Sequence, residues 1–459
     1  MYLSSNTPSG EGIKSSGDVL SNKISIALDY YPNLQKSYQT LSTLPGFVLL
    51  ETTDRTRGRY DILSAYPYDS IVIKDNCIDR TSLMNHVKQR LPIEESESDL
   101  PFQGGAIGYI SYDLGASLAG INSSAQPTLQ NMPLLHLGLY DWAIIVDHLL
   151  KRVTLFAANR DSSTSGIISE VIKLWHSDIS QNNKFEIKSD FTPLLSKESY
   201  RESFLEIYNA LKEGRSYQVN LTQPFHAEFE GDVWEMYTRV NSKNAVPFAA
   251  FIKTQEASIL SFSPERFLFY DKGKLLTSPI KGTIGRSNHP AEDEQLKQQL
   301  SGCEKNRAEN VMIVDLLRND LGKIAVPGSV QVSNLCTIQS YNSLHHLVSD
   351  IEAQCVNSLH PFEAFMSCFP GGSITGAPKI ESMKIINEQE PYGRGIYCGS
   401  IGYFSHHGRF DTNIAIRTVT AKDNILHLAA GGGIVIDSNL EDEYRECYTK
   451  ITAIINGVK

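Results

Sequence analysis

The sequence contains no CxxC pair. Its seven cysteines (Cys77, Cys303, Cys336, Cys355, Cys368, Cys398 and Cys447) are scattered and odd in number, which argues against a disulfide framework or a structural zinc site. It also lacks a basic tract or arginine-rich arm: Asp and Glu outnumber Lys and Arg by 52 to 42, for a formal charge of −10. Without such a cationic surface, no nucleic-acid partner is expected. No apolar run approaches membrane-spanning length, so no membrane association is expected either. Residues 1–23 are Ser/Gly-rich and polar, without the cationic start and apolar centre of a signal peptide, and read as a loose terminus. A cytoplasmic protein is the expectation. No Gly-x-Ser-x-Gly elbow, zinc motif or internal repeat is found. An acidic chain can still hold an anion, provided that a metal or a few focused cations face it.

What is present suits a large soluble core: 459 residues, 41% hydrophobic and 20% charged, room for two or three domains. Extended, β-rich patterns occupy 46–53, 104–115 and 139–157. The composition shifts at 159–166, a short helix-like stretch follows, and the polar segment 177–190 reads as a linker region. The chain thus divides into an N-terminal region 24–158, a linker 159–196 and a region 197–459. In the last region, strand patterns at 216–229 and 257–270 and a hairpin about 271–273 alternate with helices at 199–213, 301–321, 377–388 and 441–456. Hairpin-ordered strands with interspersed helices predict an α+β fold of antiparallel sheets covered by helices.

Several constellations could carry chemistry. The helix at 301–321 opens with Ser301 and Glu304 at capping-box spacing, and the last helix repeats the device with Ser438 and Glu441. Glu309 lies on the first helix; Glu443, Glu446 and Lys450 form one stripe of the second, beside a packing stripe of Tyr444, Cys447, Ile451 and Ile454. Two helix-borne glutamates suffice for a Mg²⁺ site completed by water and substrate, yet spacing alone leaves them as ordinary solvated residues. "FPGGSITGAPK" (369–379) lacks the Lys-Ser/Thr of a phosphate loop. Pro378 suits a first helical turn, which would put Ser373, Thr375 and Gly376 at a helix N-terminus able to hold an anion or simply capped. The run "AAGGGIVID" (429–437) permits close backbone approach or a bulge. His345 and His346 read as core or hairpin histidines. Arg417 falls where alternation predicts a strand, and facing inward it needs a carboxylate partner.

Taken in order, "EKNRAENVMIVDLLRNDLG", "GGSITGAPKIESMKIINEQEP", "RGIYCGSIGYF", "FDTNIAIRT", "GGGIV" and "EYRE" resemble the signature blocks of the chorismate-utilising enzymes. That family includes the large components of anthranilate and aminodeoxychorismate synthases and the isochorismate and salicylate synthases. The resemblance is strong over 199–455 and weaker through "LLETT" and "GYISYDLG". It implies two packed antiparallel sheets flanked by helices, with the active site in the central cleft. By position, Glu309 and Glu446 resemble Mg²⁺ ligands, with Glu443 close behind; Asn306 stands where some relatives carry another acid. Arg417, Tyr397 and Lys450 resemble residues that bind substrate carboxylates. Gly282, Thr283, Thr375, Gly431 and Gly433 match the rest of that clamp, and His346 a histidine near the ring. Glu265 resembles the general acid that protonates a departing 4-hydroxyl.

Two positions bear on the reaction. In anthranilate synthases the position of Lys281 resembles an alanine; in isochorismate and salicylate synthases a lysine base stands at that of Gln218. Gln218 with Lys281 resembles the aminodeoxychorismate synthase branch, which implies that Lys281 attacks C2 of chorismate and ammonia then displaces it from C4. The alternatives are an anthranilate synthase, whose product is aromatic and released with pyruvate, and an inactive scaffold that only recruits an amidotransferase. Nothing in the sequence matches a glutamine-hydrolysing elbow, so ammonia is expected from a separate glutamine amidotransferase subunit. The weaker N-terminal match suggests a tryptophan pocket at Glu51 and Thr52, where Thr52 replaces a serine.

Overall fold

The computed structural model describes residues 23–75, 78–121, 125–177, 184–340 and 344–458; the polar stretch 1–22, Cys77 and part of the polar segment 177–190 lie outside them. Every ladder between the described strands is antiparallel. They build a 13-stranded and a 10-stranded sheet, the α+β architecture that the strand order predicts. Both sheets draw on both halves of the chain. Val48–Glu51 pairs with Phe248–Lys253 in the larger sheet, and Gly105–Ile110 with Ser400–Ser405 in the smaller. The stretch 159–196 carries helix Thr164–Trp175 and the short strands Phe185–Ile187 and Thr192–Pro193, both paired with Gln218–Gly231.

Consecutive strand residues feed different cores because side chains alternate faces. Val48, Ile145 and Ile259 of the larger sheet meet Ile107, Tyr109 and Tyr403 of the smaller in one buried cluster. Leu49, Ile144 and Leu260 join a second cluster with Tyr38, Tyr200, Trp234 and other helix residues. Burial on both faces explains why these strands read as near-continuous apolar runs. The hairpin at 271–273 turns on Lys272 and Gly273, with φ of 48° and 84°, the two positive values of a type I′ turn.

Local readings change in four places. The pattern at 257–270 is two strands, Ser258–Ser263 in the larger sheet and Arg266–Asp271 in the smaller. Pro264 has no N–H for a ladder, and the chain crosses between sheets there. The single helix expected over 301–321 is also two, Pro290–Gly302 and Glu304–Gly322, joined at an extended Cys303. Its capping box does not form: the Ser301 hydroxyl donates to the Gln298 carbonyl. In the last helix, Leu440–Val458, Asn439 takes the capping role from Ser438 and accepts the N–H of Glu441 at 3.0 Å. Finally, the extended reading of 104–115 gives way at Ser111, whose hydroxyl caps helix Tyr112–Leu118.

Candidate active site

Two crossings between the sheets lie side by side. One is Pro264–Glu265; the other joins Phe410–Asn413 of the smaller sheet to Thr418–Lys422 of the larger. They bond to each other: Ile414 N–H donates to the Glu265 carbonyl at 3.0 Å, Phe262 N–H to the Arg417 carbonyl at 3.0 Å, and the Ser263 hydroxyl to the Ile414 carbonyl at 2.7 Å. Arg417 therefore sits in an irregular bend with φ 51°, not in the strand that alternation suggests. Burial lowers its pKa, and among the described residues no carboxylate pairs with it. A partly buried guanidinium in that condition is a receptor for an external carboxylate.

Lys281 owes its direction to a bulge. Strand Ile280–Gly285 pairs with Leu344–Gln354, but the register steps from Ile280↔Val348 to Thr283↔His346, one residue too many on the lysine's side. Gly282 occupies the extra position with φ 86°, open to glycine at little cost. An added Cβ there meets Asn306 Nδ2 at 2.9 Å and Leu300 Cδ1 at 3.1 Å. Gly282→Ala is expected to lower stability by about 1–2 kcal/mol and to cost activity beyond that loss, measured by a denaturant melt alongside turnover.

The bulge turns Lys281 toward a cluster of charges. Its Nζ lies 3.5 Å from the Ser373 carbonyl. Burial lowers its pKa, against the pull of Glu309 and Glu265. Glu265 is 7% exposed and accepts a hydrogen bond from the Ser373 hydroxyl at 2.9 Å. Burial raises its pKa, with Lys281 and Ser373 opposing. Both shifts favour the uncharged form, which is the nucleophilic form of an amine and the proton-donating form of a carboxyl group.

The last helix supplies another side of the site. Lys450 Nζ bridges Glu446 and the Gly431 carbonyl, each at 2.7 Å. Glu443 is buried, takes the Ser438 hydroxyl at 2.7 Å and has its pKa raised by that burial. Its packing stripe forms as expected through Cys447, Ile451 and Ile454. The glycine run is needed for close approach: a Cβ on Gly431 meets the Leu221 carbonyl oxygen at 2.1 Å, and one on Gly433 meets Gln218 Nε2 at 2.1 Å. Gln218 is fully buried, and among the described residues neither of its amide atoms has a hydrogen-bond partner.

His346 and Thr283 join across the bulged ladder, Thr283 Oγ1 to Nδ1 at 2.8 Å. Burial and the nearby Arg417 push the imidazole down to about 3, so it is neutral. Tyr397 is buried beside Cys398 and Arg394 and lines a small cavity with Thr418, Thr420 and His427. The Thr375 hydroxyl is committed to the Gly371 and Gly372 carbonyls. No helix begins at Thr375: Gly376–Ala377 form a two-residue strand on Gln218–Val219, and the helix runs Lys379–Gln389 with Pro378 preceding it. From the "FPGGSITGAPK" segment it is Ser373 that reaches Lys281 and Glu265. The sequence alone puts it at a helix N-terminus able to hold an anion or simply capped, and gives it no contact with the acid or the amine; its one signal was a hydroxyl inside that glycine-rich segment.

A buried acid, an amine whose pKa is lowered by burial and an arginine that no carboxylate pairs with among the described residues suit a small carboxylate ligand. The family described as chorismate binding enzyme matches residues 47–456. The chain belongs to that family. Among its relatives, aminodeoxychorismate synthase component 1 of Salmonella typhimurium is 41% identical over 95% of this chain and 98% of its own length. The protein of that name from Escherichia coli K12 is 39% identical over 92% and 95%. Anthranilate synthase component 1 of Acetivibrio thermocellus is 33% identical over 78% and 76%. Among solved structures, anthranilate synthase component I from Streptococcus pneumoniae superposes with a TM-score of 0.79 at 28% identity, covering 87% of this chain and 92% of that one.

The residues present fit a Mg²⁺ ion that takes two protein carboxylates. Among the described residues no group of three or more His, Cys, Asp or Glu side chains is gathered to hold a metal. Glu309 and Glu446 nevertheless both act on Lys281, and two carboxylates are the protein share that Mg²⁺ ordinarily takes. Glu51 and Thr52 stand apart from this family site. They line a 1090 Å³ cavity between the sheets, with Tyr60, Phe248, Asp350 and Tyr403. Glu51 accepts from Gln35 Nε2 and the Tyr237 hydroxyl at 2.8 and 3.0 Å, and burial pushes its carboxyl up to about 8. The Thr52 hydroxyl turns to its own loop, onto the Asp54 carbonyl.

No helix among the described residues is long and apolar enough to cross a membrane.

Proposed function

We propose that the chain aminates chorismate at C4 to give 4-amino-4-deoxychorismate, with ammonia delivered by a separate glutamine amidotransferase component. The observation that carries the reaction is the pairing of a buried carboxyl, Glu265, with a half-buried lysine of lowered pKa, Lys281, at one turn. The near full-length likeness to proteins named aminodeoxychorismate synthase component 1 supports the same product. The word "component" in those names supports a partner.

Arg417 and Lys450 bind the two carboxylates, with glycine N–H groups of the 431–433 run beside them. Neutral Lys281 attacks C2, the ring double bond shifts, and Glu265 gives its proton to the departing 4-hydroxyl, which leaves as water. Ammonia adds at C4, the double bond returns, and Lys281 leaves as the amine. The new ammonium then hands a proton back to Glu265, so both groups regain their starting forms. Glu309 and Glu446, with Glu443 behind them, would hold Mg²⁺, which supplies charge for a substrate carboxylate in an otherwise acidic protein. We further assign the inter-sheet cavity to tryptophan, with Tyr60, Phe248 and Tyr403 as aromatic walls, Asp350 as the carboxylate for its ammonium, and Glu51 and Thr52 in the lining.

Mass spectrometry of the product from chorismate, ammonium and Mg²⁺ tests this directly. The expected species is non-aromatic and retains the enolpyruvyl group; fluorescent anthranilate with pyruvate would overturn it. Glutamine is expected not to replace ammonium for this chain alone, and excess chelator to remove activity. Arg417→Ala is expected to raise KM for chorismate by about 10- to 100-fold, the loss of one charge-assisted pair, read from steady-state kinetics.

A further inference from the structure

Ser373 touches both reacting groups of the proposed mechanism through different atoms. Its hydroxyl donates to Glu265 Oε1 at 2.9 Å, and its carbonyl lies 3.5 Å from Lys281 Nζ. Among the described residues no other side chain donates a hydrogen bond to that carboxyl group, and the Ile280 backbone N–H faces it as well, so Ser373 is the one side chain that holds Oε1 in place.

The turn that carries Ser373 is pinned on every side. Residues Gly372–Ile374 form one turn of 3₁₀ helix. Thr375 closes it from within, its hydroxyl bonding to the Gly371 and Gly372 carbonyls at 3.1 and 3.3 Å. The Thr375 carbonyl accepts Asn220 N–H at 3.0 Å, and the Ile374 carbonyl accepts Arg394 Nη1 at 3.0 Å. Next along the chain, Gly376–Ala377 are laced to Gln218–Val219. A Cβ on Gly372 would strike Leu316 Cδ2 at 2.4 Å, so the turn is also pressed against helix Glu304–Gly322, which carries Glu309. Such a support holds a hydroxyl to the tolerance that proton transfer requires.

We propose that Ser373 is a positioning residue that sets the acid and the nucleophile in register: its hydroxyl occupies Oε1 of Glu265 so that Oε2 carries the transferable proton, while its carbonyl draws one N–H of Lys281 away from the ring and leaves the lone pair aimed at it. The inference rests on reading Glu265 as the acid and Lys281 as the nucleophile. No bond to Ser373 forms or breaks, and its hydroxyl keeps its proton throughout. The charged and polar groups that face Glu265 are Lys281, Lys450, the Ile280 backbone N–H and Ser373. Of these, Ser373→Ala removes a hydrogen bond that favours the carboxylate, so the acid's titration moves to higher pH.

The test compares Ser373→Ala and Ser373→Thr with the unsubstituted chain, using chorismate, ammonium and Mg²⁺ across a pH series. For Ser373→Ala, kcat is expected to fall about 10- to 100-fold, the range lost when an acid is misplaced rather than removed, with KM within about threefold and the alkaline limb displaced upward. Ser373→Thr keeps a hydroxyl and is expected to regain most of the rate and the original limb. A kcat for Ser373→Ala within twofold of the parent, or equal damage from both substitutions with an unmoved limb, overturns the proposal. Glu265→Gln run in parallel separates the two levels. If it stays active, the reading of the acid fails; if it is inactive while Ser373→Ala is unimpaired, only the positioning role fails.

Discussion

Lys281→Ala is expected to lower 4-amino-4-deoxychorismate formation by at least about 10³-fold, the scale seen when a covalent nucleophile is removed from a site that otherwise keeps its binding groups. The expectation follows from the bulge. Gly282 at φ 86° turns the amine out of the ladder toward Glu265 and Glu309, and alanine at 281 leaves that backbone intact. Binding is therefore expected to survive, with KM changed little beside kcat. If the truncated site still releases product, direct attack of ammonia at C2 predicts an anthranilate-like species; an unchanged rate and product would refute the covalent role. The pH dependence has a definite sign. The amine must be neutral, so the rate climbs as pH rises through its pKa, and burial has moved that pKa down from the ordinary lysine value. The acid limb of kcat is accordingly expected below the range of a solvated lysine, and it disappears in Lys281→Ala.

The second large effect is Glu265→Gln, for which a fall of about 10²- to 10⁴-fold in kcat is expected, the contribution of general acid catalysis where the leaving group is hydroxide. Glutamine keeps the shape and can still accept from Ser373, so the loss isolates the proton. Glu265 must be protonated, so activity declines as pH rises through its pKa. Burial has raised that pKa above the usual carboxylate value, which carries the alkaline limb upward toward neutrality. Lys281 and Glu265 attract each other's charged forms while burial opposes both. The charge of each therefore acts on the titration of the other, and replacing one is expected to move the limb that the other leaves. Glu265→Gln is expected to erase the alkaline limb and leave the acid limb, which a pH series of single-turnover rates would show.

Much of this chain is legible without coordinates, and where it is not, the reason is tertiary. The last helix and its stripe of Cys447, Ile451 and Ile454 follow from period 3.6 alone. The hairpin at Lys272–Gly273 and the α+β class follow from turn chemistry and strand order. The segment 257–270 misleads because the strand pattern continues smoothly on either side of Pro264, while the two halves pair in different sheets. For the same reason alternation carries Arg417 into a strand that begins one residue later. Local pattern records how a residue alternates but not which sheet receives it. Glu265 and Arg417, both central to the proposed chemistry, sit where the chain changes sheets.

Residue types and their order suffice for the family and for the small set of side chains able to act: an acid, an amine, helix-borne carboxylates and an arginine. Only the packed structure decides that Gly282 is a bulge, that Ser373 and not Thr375 reaches Lys281 and Glu265, and that Asn439 rather than Ser438 caps the last helix. Those outcomes depend on contacts between segments tens to hundreds of residues apart, such as Lys281 with Ser373 and Glu265 with Ile414. The free energy of such contacts is set by burial and by partners that no local stretch of sequence contains.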